Sequence, residues 1–492
     1  MQNSTLKNKT ISGLFWSFSG LIASQGIQFI IQVILARLLV PKDFGIMGMI
    51  IVFIAVSQSF IDCGFTNALI REKEPSQEDY STVFYFNLLM AFFIYILLFC
   101  TSGIISDFFR EPQLIPILRA LAISLIISSF GLIQGTMMIK SLNFKTLTKI
   151  NIISSMLSGI IAIIFAFLGF GVWSLVIKTL SMQLIQSILL CVTNVWIPSL
   201  VFKFASFKRL FGFGWKLMVS GLIDTLYQNL YYLIIGRAFS ALELGYYTNA
   251  QKLRDTAAQS ITSTVQKVSY PVFSTIKEHE EKLRNSYKKI IKTSVFITFP
   301  LMTGSAAVAS SLIIVIFGPK WVNSVLYFQL LCFAGMIFPL HAINLDILQV
   351  KGRTDLFLGL EVLKKGIGLS FIAIILLLKL GIIGLLWAAV INSFISYFIN
   401  SYYSAGLISY STKEQIKDIA PAFISSLLMA IIVYLGGTML PNNNLVKLIF
   451  QIILGVLIYG GISKIWNMEE LNTVIELLSQ FLKKINSKQR KN

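Results

Sequence analysis

The chain has 492 residues, of which 55% are hydrophobic and only 13% are charged, and its formal net charge is +19. Soluble domains carry about 25% charged residues, so this composition excludes an ordinary soluble protein and predicts an integral membrane protein. The basic residues cluster in short segments between apolar runs. The positive-inside rule explains that placement, so the positive charge does not indicate nucleic-acid binding.

Apolar runs that can cross a hydrocarbon core of about 30 Å recur along the whole chain. Only helices and closed barrels satisfy the backbone in lipid, and these runs are too long and too uniformly apolar for barrel strands. We therefore predict an all-α integral membrane protein with about 14 transmembrane helices. The predicted spans are 11–36, 44–62, 80–101, 114–135, 149–168, 171–196, 211–235, 246–272, 289–316, 321–350, 356–379, 381–406, 416–439 and 443–465.

The first run, 11–36, is predicted to be a retained span. It carries Gln25, Gln28 and Gln32 and lacks the small-residue cleavage site of a signal peptide. The placement of Lys and Arg predicts that both termini are cytoplasmic, because cytoplasmic loops are enriched in basic residues. With that orientation, the outer loops carry only Arg37, Lys42, Arg110, Arg237, Lys320 and Lys379.

An internal repeat is visible when the first span is aligned with the seventh. The helices then share orientation, which predicts two parallel six-helix repeats, a transporter architecture, followed by two extra C-terminal helices. The residues paired by this alignment are Gln28 with Gln228, Ile34 with Ile234, Arg37 with Arg237, Asp43 with Glu243, and Gly45 with Gly245. A second similarity between the two halves pairs Leu168-Gly169 with Leu380-Gly381.

The predicted domain limits follow from the repeat. An N-terminal six-helix lobe covers 1–200 and a C-terminal six-helix lobe covers 201–410. Two extra transmembrane helices occupy 411–466. The last segment, 467–492, is predicted to be an amphipathic helix on the cytoplasmic surface with a basic tail, because apolar residues recur at helical spacing over 468–485.

The sequence offers no catalytic or metal-binding motif. It has no phosphate-binding G-x-x-x-x-G-K-[ST] and no H-E-x-x-H, and its inter-span loops are short, the longest being near 273–288 and, on the outer side, near 102–113. His279 and His341 are too far apart in sequence to suggest a metal site. The four cysteines lie in or beside apolar runs, without paired spacing, and are interpreted as packing residues. We expect no enzymatic activity, no metal and no cofactor.

Charged residues inside the predicted spans are the main functional signal. Each costs roughly 2.5–3.5 kcal/mol at the centre of a membrane helix, so each requires a partner or a water-filled cavity. Basic residues outnumber acidic ones, which favours an anionic substrate. These residues are Arg119, Lys178, Asp224, Lys252, Arg254, Asp255, Lys267, Asp346, Glu361, Lys364, Lys365 and Lys447.

The eighth span, 246–272, is the most polar. A narrow apolar stripe runs along it, through Leu253, Ala257, Ile261, Val265, Val268 and Val272. Because the rest of its surface is polar, we predict that this span lines a hydrated cavity between the two lobes. The predicted substrate-binding residues are Lys178, Lys252, Arg254 and Lys267, and Asp224 is a candidate site for a coupling ion.

Structural explanations compete with these functional ones. Lys364 and Lys365, and likewise Arg119 and Lys447, can extend to the membrane surface with their long side chains. Arg254 and Asp255 can neutralise each other. Asp224 can pair with a nearby cation, and Asp346 can cap a helix or pair near the cytoplasmic end of its span.

Several short motifs together resemble the polysaccharide flippase family, often called Wzx, over nearly the whole chain. This family shares a superfamily with multidrug exporters of the MATE type and with flippases of lipid-linked peptidoglycan precursors. The motifs are Leu35-Ala36-Arg37-Leu38-Leu39, Phe44-Gly45, Asp62-Cys63-Gly64-Phe65, Ala68-Leu69-Ile70, Leu142-Asn143-Phe144-Lys145, Gly171-Val172-Trp173-Ser174-Leu175-Val176 and Leu348-Gln349-Val350-Lys351-Gly352-Arg353-Thr354-Asp355.

The resemblance implies two six-helix lobes around a central cavity that opens alternately to each side of a bacterial cytoplasmic membrane. It also implies a substrate that consists of undecaprenyl diphosphate carrying an oligosaccharide, exported for lipopolysaccharide or exopolysaccharide synthesis. Membrane lipids, and a polysaccharide polymerase or ligase, are the implied partners. The alternative is a cation-coupled MATE-type drug exporter, which predicts an acidic cavity. A membrane-embedded sugar transferase requires a large outer loop, and the sequence offers none.

Overall fold

The computed structural model describes residues 20, 23–441, 443–476 and 479, and the regular structure of this part of the chain is helical. A 3-10 turn covers Pro319–Trp321, and a C-terminal helical segment covers 469–476. The helices are α1 (Ala23–Leu38), α2 (Pro41–Asp62), α3 (Phe65–Arg71), α4 (Gln77–Phe109), α5 (Leu114–Lys140), α6 (Phe144–Phe167), α7 (Val172–Thr193), α8 (Phe204–Gln228), α9 (Leu230–Ala238), α10 (Ala241–Ile276), α11 (Glu280–Ala307), α12 (Ala309–Phe317), α13 (Ser324–Gly335), α14 (Phe338–Val350), α15 (Thr354–Leu377), α16 (Gly381–Ile408), α17 (Thr412–Thr438) and α18 (Asn444–Ile465).

Ten helical segments of the described chain are long and apolar enough to cross a membrane. The predicted class, an all-α multi-pass membrane protein, is confirmed. The first predicted span lies partly outside the described residues. The seventh, eighth and eleventh correspond to α8–α9, α10 and α15, which are not among the ten segments. Both α10 and α15 carry several charged residues, for example Lys252 and Lys364. The number of 14 therefore stays a prediction.

Three predicted spans are interrupted helices. The seventh is broken at Asn229, the ninth at Val308, and the tenth at Met336 and Ile337. At the last of these, Pro339 lies in the first turn of α14. Proline has no amide hydrogen and fits best in the first turn of a helix, so it favours a new start there.

Two predicted loops were wrong because the helices beside them are longer than their apolar cores. The outer loop expected near 102–113 is mostly helical, since α4 continues to Phe109. The loop expected near 273–288 shrinks to 277–279, because α10 continues to Ile276 and α11 begins at Glu280. At the start of α11, Glu280 and Glu281 form a charged first turn that extends the helix beyond the apolar segment that hydropathy detects.

The described chain divides into two compact units, 1–248 and 249–492. The predicted domain limits at 200 and 410 are not tested by this division and stay predictions. In the first unit, α5 packs against both α4 and α7, and α2 packs against α8. Phe65, on the short helix α3, is fully buried in a cluster with Tyr80, Val83 and Leu210.

The connection between α7 and α8, residues 194–203, is bound to the start of α4. Trp196 Nε1 donates to Gln77 Oε1 at 2.6 Å, and Gln77 Nε2 donates to the Ile197 carbonyl at 2.8 Å. Lys203 Nζ lies 2.6 Å from Glu78 Oε2, and this hydrogen bond raises the pKa of the Lys203 ammonium group. We call residues 194–203 the strap.

The starts of α2 and α10 cross backbone to backbone within the first unit. A Cβ atom on Gly45 would lie 1.6 Å from the carbonyl oxygen of Ala241, and one on Gly245 would lie 1.8 Å from that of Pro41. Only glycine fits such a close helix contact, as in other membrane helix pairs that use small residues. The contact joins the two glycines that the repeat alignment pairs.

In the second unit, α17 packs against α11 and α18, and α16 packs against α13, α14 and α15. The segment 469–476 belongs to this core: Met468 is buried with Phe296 and Tyr459, and Leu471 and Val474 pack beside them. Lys292 Nζ also lies 2.8 Å from Glu470 Oε1. The predicted amphipathic helix over 468–485 is thus helical and docked in its first part, and most of its remainder lies outside the described residues.

Candidate functional site

Helix α10 carries polar residues on two opposite faces. One of these faces is packed inside the second unit. The packed face consists of Arg254, Ala258, Thr262 and Ser269, all buried. The apolar stripe predicted from the sequence is only partly buried at Leu253 to Val265 and is exposed at Val268. Small and hydroxyl side chains allow close approach between membrane helices, so packing follows them rather than the aliphatic stripe.

Arg254 lies inside the second unit against α13 and α14. Its Nη2 is 2.5 Å from Asp255 Oδ1, and its guanidinium carbon is 5.1 Å from the centre of the Phe338 ring. Its aliphatic carbons contact Gly335, where an added Cβ would lie 2.9 Å from Arg254 Cδ. The pairing of Arg254 with Asp255, left open by the sequence, is therefore present. The pair offsets much of the positive charge. The contacts of Arg254 with Phe338 and Gly335 are the ones that join α10 to α14 and α13.

Lys252 and Lys267 lie on the other side of α10. At 3.6 residues per turn they are about 60° apart around the axis and about 22 Å apart along it, whereas Arg254 is about 160° away from Lys252. Both lysine side chains are exposed. The predicted basic group on α10 is thus split: two lysines at different depths share a side, and the arginine faces the packed interior.

The other two predicted residues belong to the first unit. Lys178 is partly buried on α7, and Asp224 is exposed on α8. Each makes an interaction with its surroundings. The first unit also has an apolar groove of about 440 Å³ between α2, α4, α8 and α9. Its lining includes Phe60, Phe93 and Leu226. With no charged residue in its lining, this groove suits a hydrocarbon chain and not an anion.

A network of hydrogen bonds joins α14 to α11 and α16 in the second unit. Tyr287 donates its hydroxyl to Asn344 Oδ1 at 2.8 Å, and the Ser404 hydroxyl donates to the same oxygen. His341 Nε2 lies 3.3 Å from Ser393 Oγ, and His341 Nδ1 lies 3.4 Å from Asn400 Nδ2. Membrane helices use such polar contacts to associate, since lipid supplies no hydrophobic driving force.

Two charged residues of the second unit, Lys364 and Asp346, are buried and interact with specific partners. Lys364 was expected to extend to the surface, but it is only 9% exposed and lies 2.5 Å from Glu361 Oε1. Asp346 is 5% exposed and accepts a hydrogen bond from Ser269 on α10. The Glu361–Lys364 pair was visible in the sequence as a three-residue helical spacing of opposite charges. The contact with Ser269 had no sequence signal.

Arg119 of the first unit, also expected to extend to the surface, is anchored to α4. Its Nε donates to Ser102 Oγ at 2.9 Å, and its guanidinium carbon lies 4.1 Å above the Phe99 ring. Among the described residues, no group of three or more His, Cys, Asp or Glu side chains is placed to hold a metal ion.

The fold is that of a known class of membrane flippase. The chain aligns with lipid II flippase MurJ in an inward closed conformation at a TM-score of 0.75, covering 91% of this chain and 98% of that one at 16% sequence identity. This likeness assigns the helical architecture.

The sequence relatives give the family. A family model described as polysaccharide biosynthesis protein matches residues 34–326, and the chain belongs to that family. The teichuronic acid biosynthesis protein TuaB of Bacillus subtilis is 27% identical over 87% of this chain and 89% of its own length. The lipopolysaccharide biosynthesis protein WzxC of Escherichia coli is 25% identical over 89% and 90%. The family predicted from the sequence motifs is confirmed.

Proposed function

We propose that this protein is a flippase that moves a lipid-linked oligosaccharide across the bacterial cytoplasmic membrane by alternating access. The family membership over residues 34–326 carries the proposal. Relatives named for teichuronic acid and lipopolysaccharide synthesis support a role in cell-surface polysaccharide synthesis. The substrate class, an oligosaccharide on undecaprenyl diphosphate, follows from the family resemblance. A polysaccharide polymerase or ligase would then use the exported product.

The basic residues of α10 provide the binding groups in this proposal. Lys252 and Lys267, exposed on one side of the helix, hold the diphosphate at successive depths as the cavity changes its opening. Arg254 remains a proposed substrate-binding residue, but it lies on the packed face of α10, where Asp255 pairs with it, and it therefore contributes less than the two lysines. Lys178 on α7 remains a proposed substrate-binding residue of the first unit. This arrangement favours an anionic substrate over the cationic drugs of a MATE-type exporter.

The proposed architecture contains 14 transmembrane helices. The ten apolar segments are joined by α1, by α8 with α9, by α10 and by α15, whose charges are tolerated where they face protein or water. Two six-helix lobes, 1–200 and 201–410, are followed by two helices in 411–466 and a cytoplasmic segment in 467–492. Both termini are cytoplasmic in this proposal, and the protein acts as a transporter.

Membrane potential can drive the export. Moving one charge through 100 mV is worth about 2.3 kcal/mol, so two negative charges on a diphosphate gain about 4.6 kcal/mol on leaving an inside-negative cell. No ATP-binding site is required for that step. Asp224, exposed on α8, is retained as a proposed coupling acid for a proton or a sodium ion.

The proposal is tested with purified protein in vesicles that contain a fluorescent undecaprenyl diphosphate oligosaccharide and an imposed potential. Wild-type protein is expected to move the lipid. Lys252→Ala combined with Lys267→Ala is expected to slow it at least about tenfold, which corresponds to a loss of about 1.4 kcal/mol.

The matched control is Lys413→Ala, a lysine exposed at the start of α17, which should leave the rate unchanged. Equal loss in the control and the double variant would refute the role of the α10 lysines. Absence of lipid movement by the wild type, together with efflux of a cationic dye, would overturn the flippase in favour of a drug exporter.

A further inference from the structure

Asp346 is a buried acid in the second unit that lacks a basic partner among the described residues. It lies one turn before the end of α14, is 5% exposed, and accepts a hydrogen bond from the Ser269 hydroxyl of α10. The other ion pairs of this unit, such as Arg254–Asp255 and Lys364–Glu361, do not include it. Asp346 therefore differs from every paired acid around it.

The charged and titratable groups near Asp346 are engaged elsewhere. On α14 itself, His341 bonds to Ser393 and Asn400 of α16, and on α11 the Tyr287 hydroxyl bonds to Asn344. At the end of α14, Lys351 Nζ donates to the Lys277 carbonyl at 3.0 Å. Arg254 of α10, which lies over Phe338 of α14, is paired with Asp255, and Lys364 of α15, which interacts electrostatically with His341, is paired with Glu361. The hydroxyls of Tyr287 on α11 and Tyr397 on α16 are the nearby phenols.

Burial of an ionised carboxylate without a counter-charge costs far more than burial of the neutral acid, which one hydrogen bond can satisfy. The serine suits both forms. Its hydroxyl donates to the carboxylate, and its oxygen can accept from the protonated acid. Contact between α10 and α14 at this point is therefore compatible with either form, but the packed arrangement is stabilised by protonation and opposed by ionisation.

We propose that Asp346 is a proton-binding site that couples the pH difference across the membrane to the movement of α10 against α14. A proton from water binds one carboxylate oxygen while the site is open, and the neutral acid then packs against Ser269. When the helices separate, the proton returns to water on the side to which the site has opened. Because α10 carries Lys252 and Lys267, the same movement changes the access of the anion to those lysines.

The coupling is reciprocal: a proton that favours the packed helices must bind more tightly to them. Asp346 is thus a second coupling acid besides Asp224, and the two differ in setting, since Asp346 is buried and Asp224 is exposed. This inference rests on the proposed flippase only for the identity of the cargo. Proton binding at Asp346 itself can be measured without any cargo.

The first experiment measures proton binding by infrared difference spectroscopy on the purified full-length protein, as the pH falls from about 8 to about 5. Wild-type protein is expected to gain the carbonyl band of a buried neutral carboxylic acid. The band should be absent from Asp346→Asn, shifted in Ser269→Ala, and retained in the control Asp418→Asn, whose carboxylate lies 2.9 Å from Lys288. Persistence of the whole band in Asp346→Asn would overturn the proposal.

The second experiment measures coupling in vesicles with a fluorescent undecaprenyl diphosphate oligosaccharide. If one proton moves per cycle, a gradient of one pH unit changes the final distribution of the lipid about tenfold. Asp346→Asn should lose that response yet still exchange lipid at equal pH, because its neutral side chain mimics the protonated acid. A full response in Asp346→Asn refutes the coupling role.

The two experiments separate the proposals. Lipid exchange by wild type and Asp346→Asn, with the gradient response lost only in the variant, supports both the flippase and the proton site. The infrared band without any lipid movement by the wild type would overturn the flippase and leave Asp346 as a proton site for another cargo.

Discussion

The helix pair α5–α7 of the first unit and its counterpart in the second unit, α14–α16, are held together by different kinds of contact. Counting back from the left-handed residues Leu142 and Gly352, which follow α5 and α14, pairs Gly131 with His341. Counting on from Gly171 and Gly381, at the starts of α7 and α16, pairs Leu190 with Asn400 in the same way. In this register Gly381 corresponds to Gly171. The similarity found in the sequence had instead paired Gly381 with Gly169, two residues earlier.

Both of these pairs are in contact. A Cβ on Gly131 would lie 3.1 Å from Leu190 Cδ1, so the first unit brings α5 and α7 together through a glycine and an aliphatic side chain. In the second unit, His341 Nδ1 lies 3.4 Å from Asn400 Nδ2. The same position is filled by close apolar packing in one unit and by hydrogen bonds in the other. Of these two contacts, only the one in the second unit includes a titratable side chain, His341.

The largest expected effect tests how far the first unit depends on close packing. Gly45→Val places side-chain atoms where the Ala241 carbonyl now lies, and we expect a loss of more than about 4 kcal/mol in unfolding free energy, or no folded protein. Thermal unfolding of the purified variant measures this. Gly103→Val, where an added Cβ meets nothing within 4 Å, is the control and should cost about 1 kcal/mol or less. Equal stability of the two variants would contradict the close contact.

A smaller effect is expected from the hydrogen bonds of the second unit. His341→Leu removes the histidine partner of Asn400 and of Ser393, although the Ser393 hydroxyl still donates to the Ala334 carbonyl. The variant should reduce the unfolding free energy by about 1–3 kcal/mol. Asn400→Leu should cost a similar amount. Because the two side chains interact directly, the double variant should lose less than the sum of the single losses, by about 0.5 kcal/mol or more. Strict additivity would show that this contact contributes nothing.

The smallest effect is expected at a single hydroxyl of the first unit. Ser187 Oγ donates to the Ile127 carbonyl at 2.9 Å, and Ser187→Ala should cost about 0.6 kcal/mol, the average for such contacts in membranes. Chemical unfolding of the variant in detergent measures it. A loss as large as that of His341→Leu would show that the first unit relies on polar contacts as much as the second does.

The sequence predicted the helical class, the family and most helix limits because apolar runs and short motifs are local signals. It also predicted that 246–272 is a polar span, which α10 contains. It could not predict which face of α10 packs. Leu253 and Val268 belong to the more hydrophobic stripe, yet Ala258 and Thr262 are the buried residues. Ala258 packs beside Gly335 of α13, and close helix contacts of this kind use small side chains, a preference that sequence periodicity does not reveal.

The candidate site was predictable only in part. The spacing of Lys252 and Lys267 along one helix, and the adjacent charges of Arg254 and Asp255, were readable as a pattern. The contact of Asp346 with Ser269 joins residues far apart in sequence, and the burial of Lys364 depends on neighbouring helices. Such features arise from tertiary packing and carry no local signature.

The strap, residues 194–203, has a practical consequence for engineering. Surface connections usually accept epitope tags and inserted domains, because their backbone makes few contacts. Here Trp196, Ile197 and Ser199 hydrogen-bond to α4, so a tag placed among them would detach α8 from its anchor. Fusion partners for imaging or purification belong instead at positions such as 278 or 279, in the short turn between α10 and α11, where Glu278 projects into solvent.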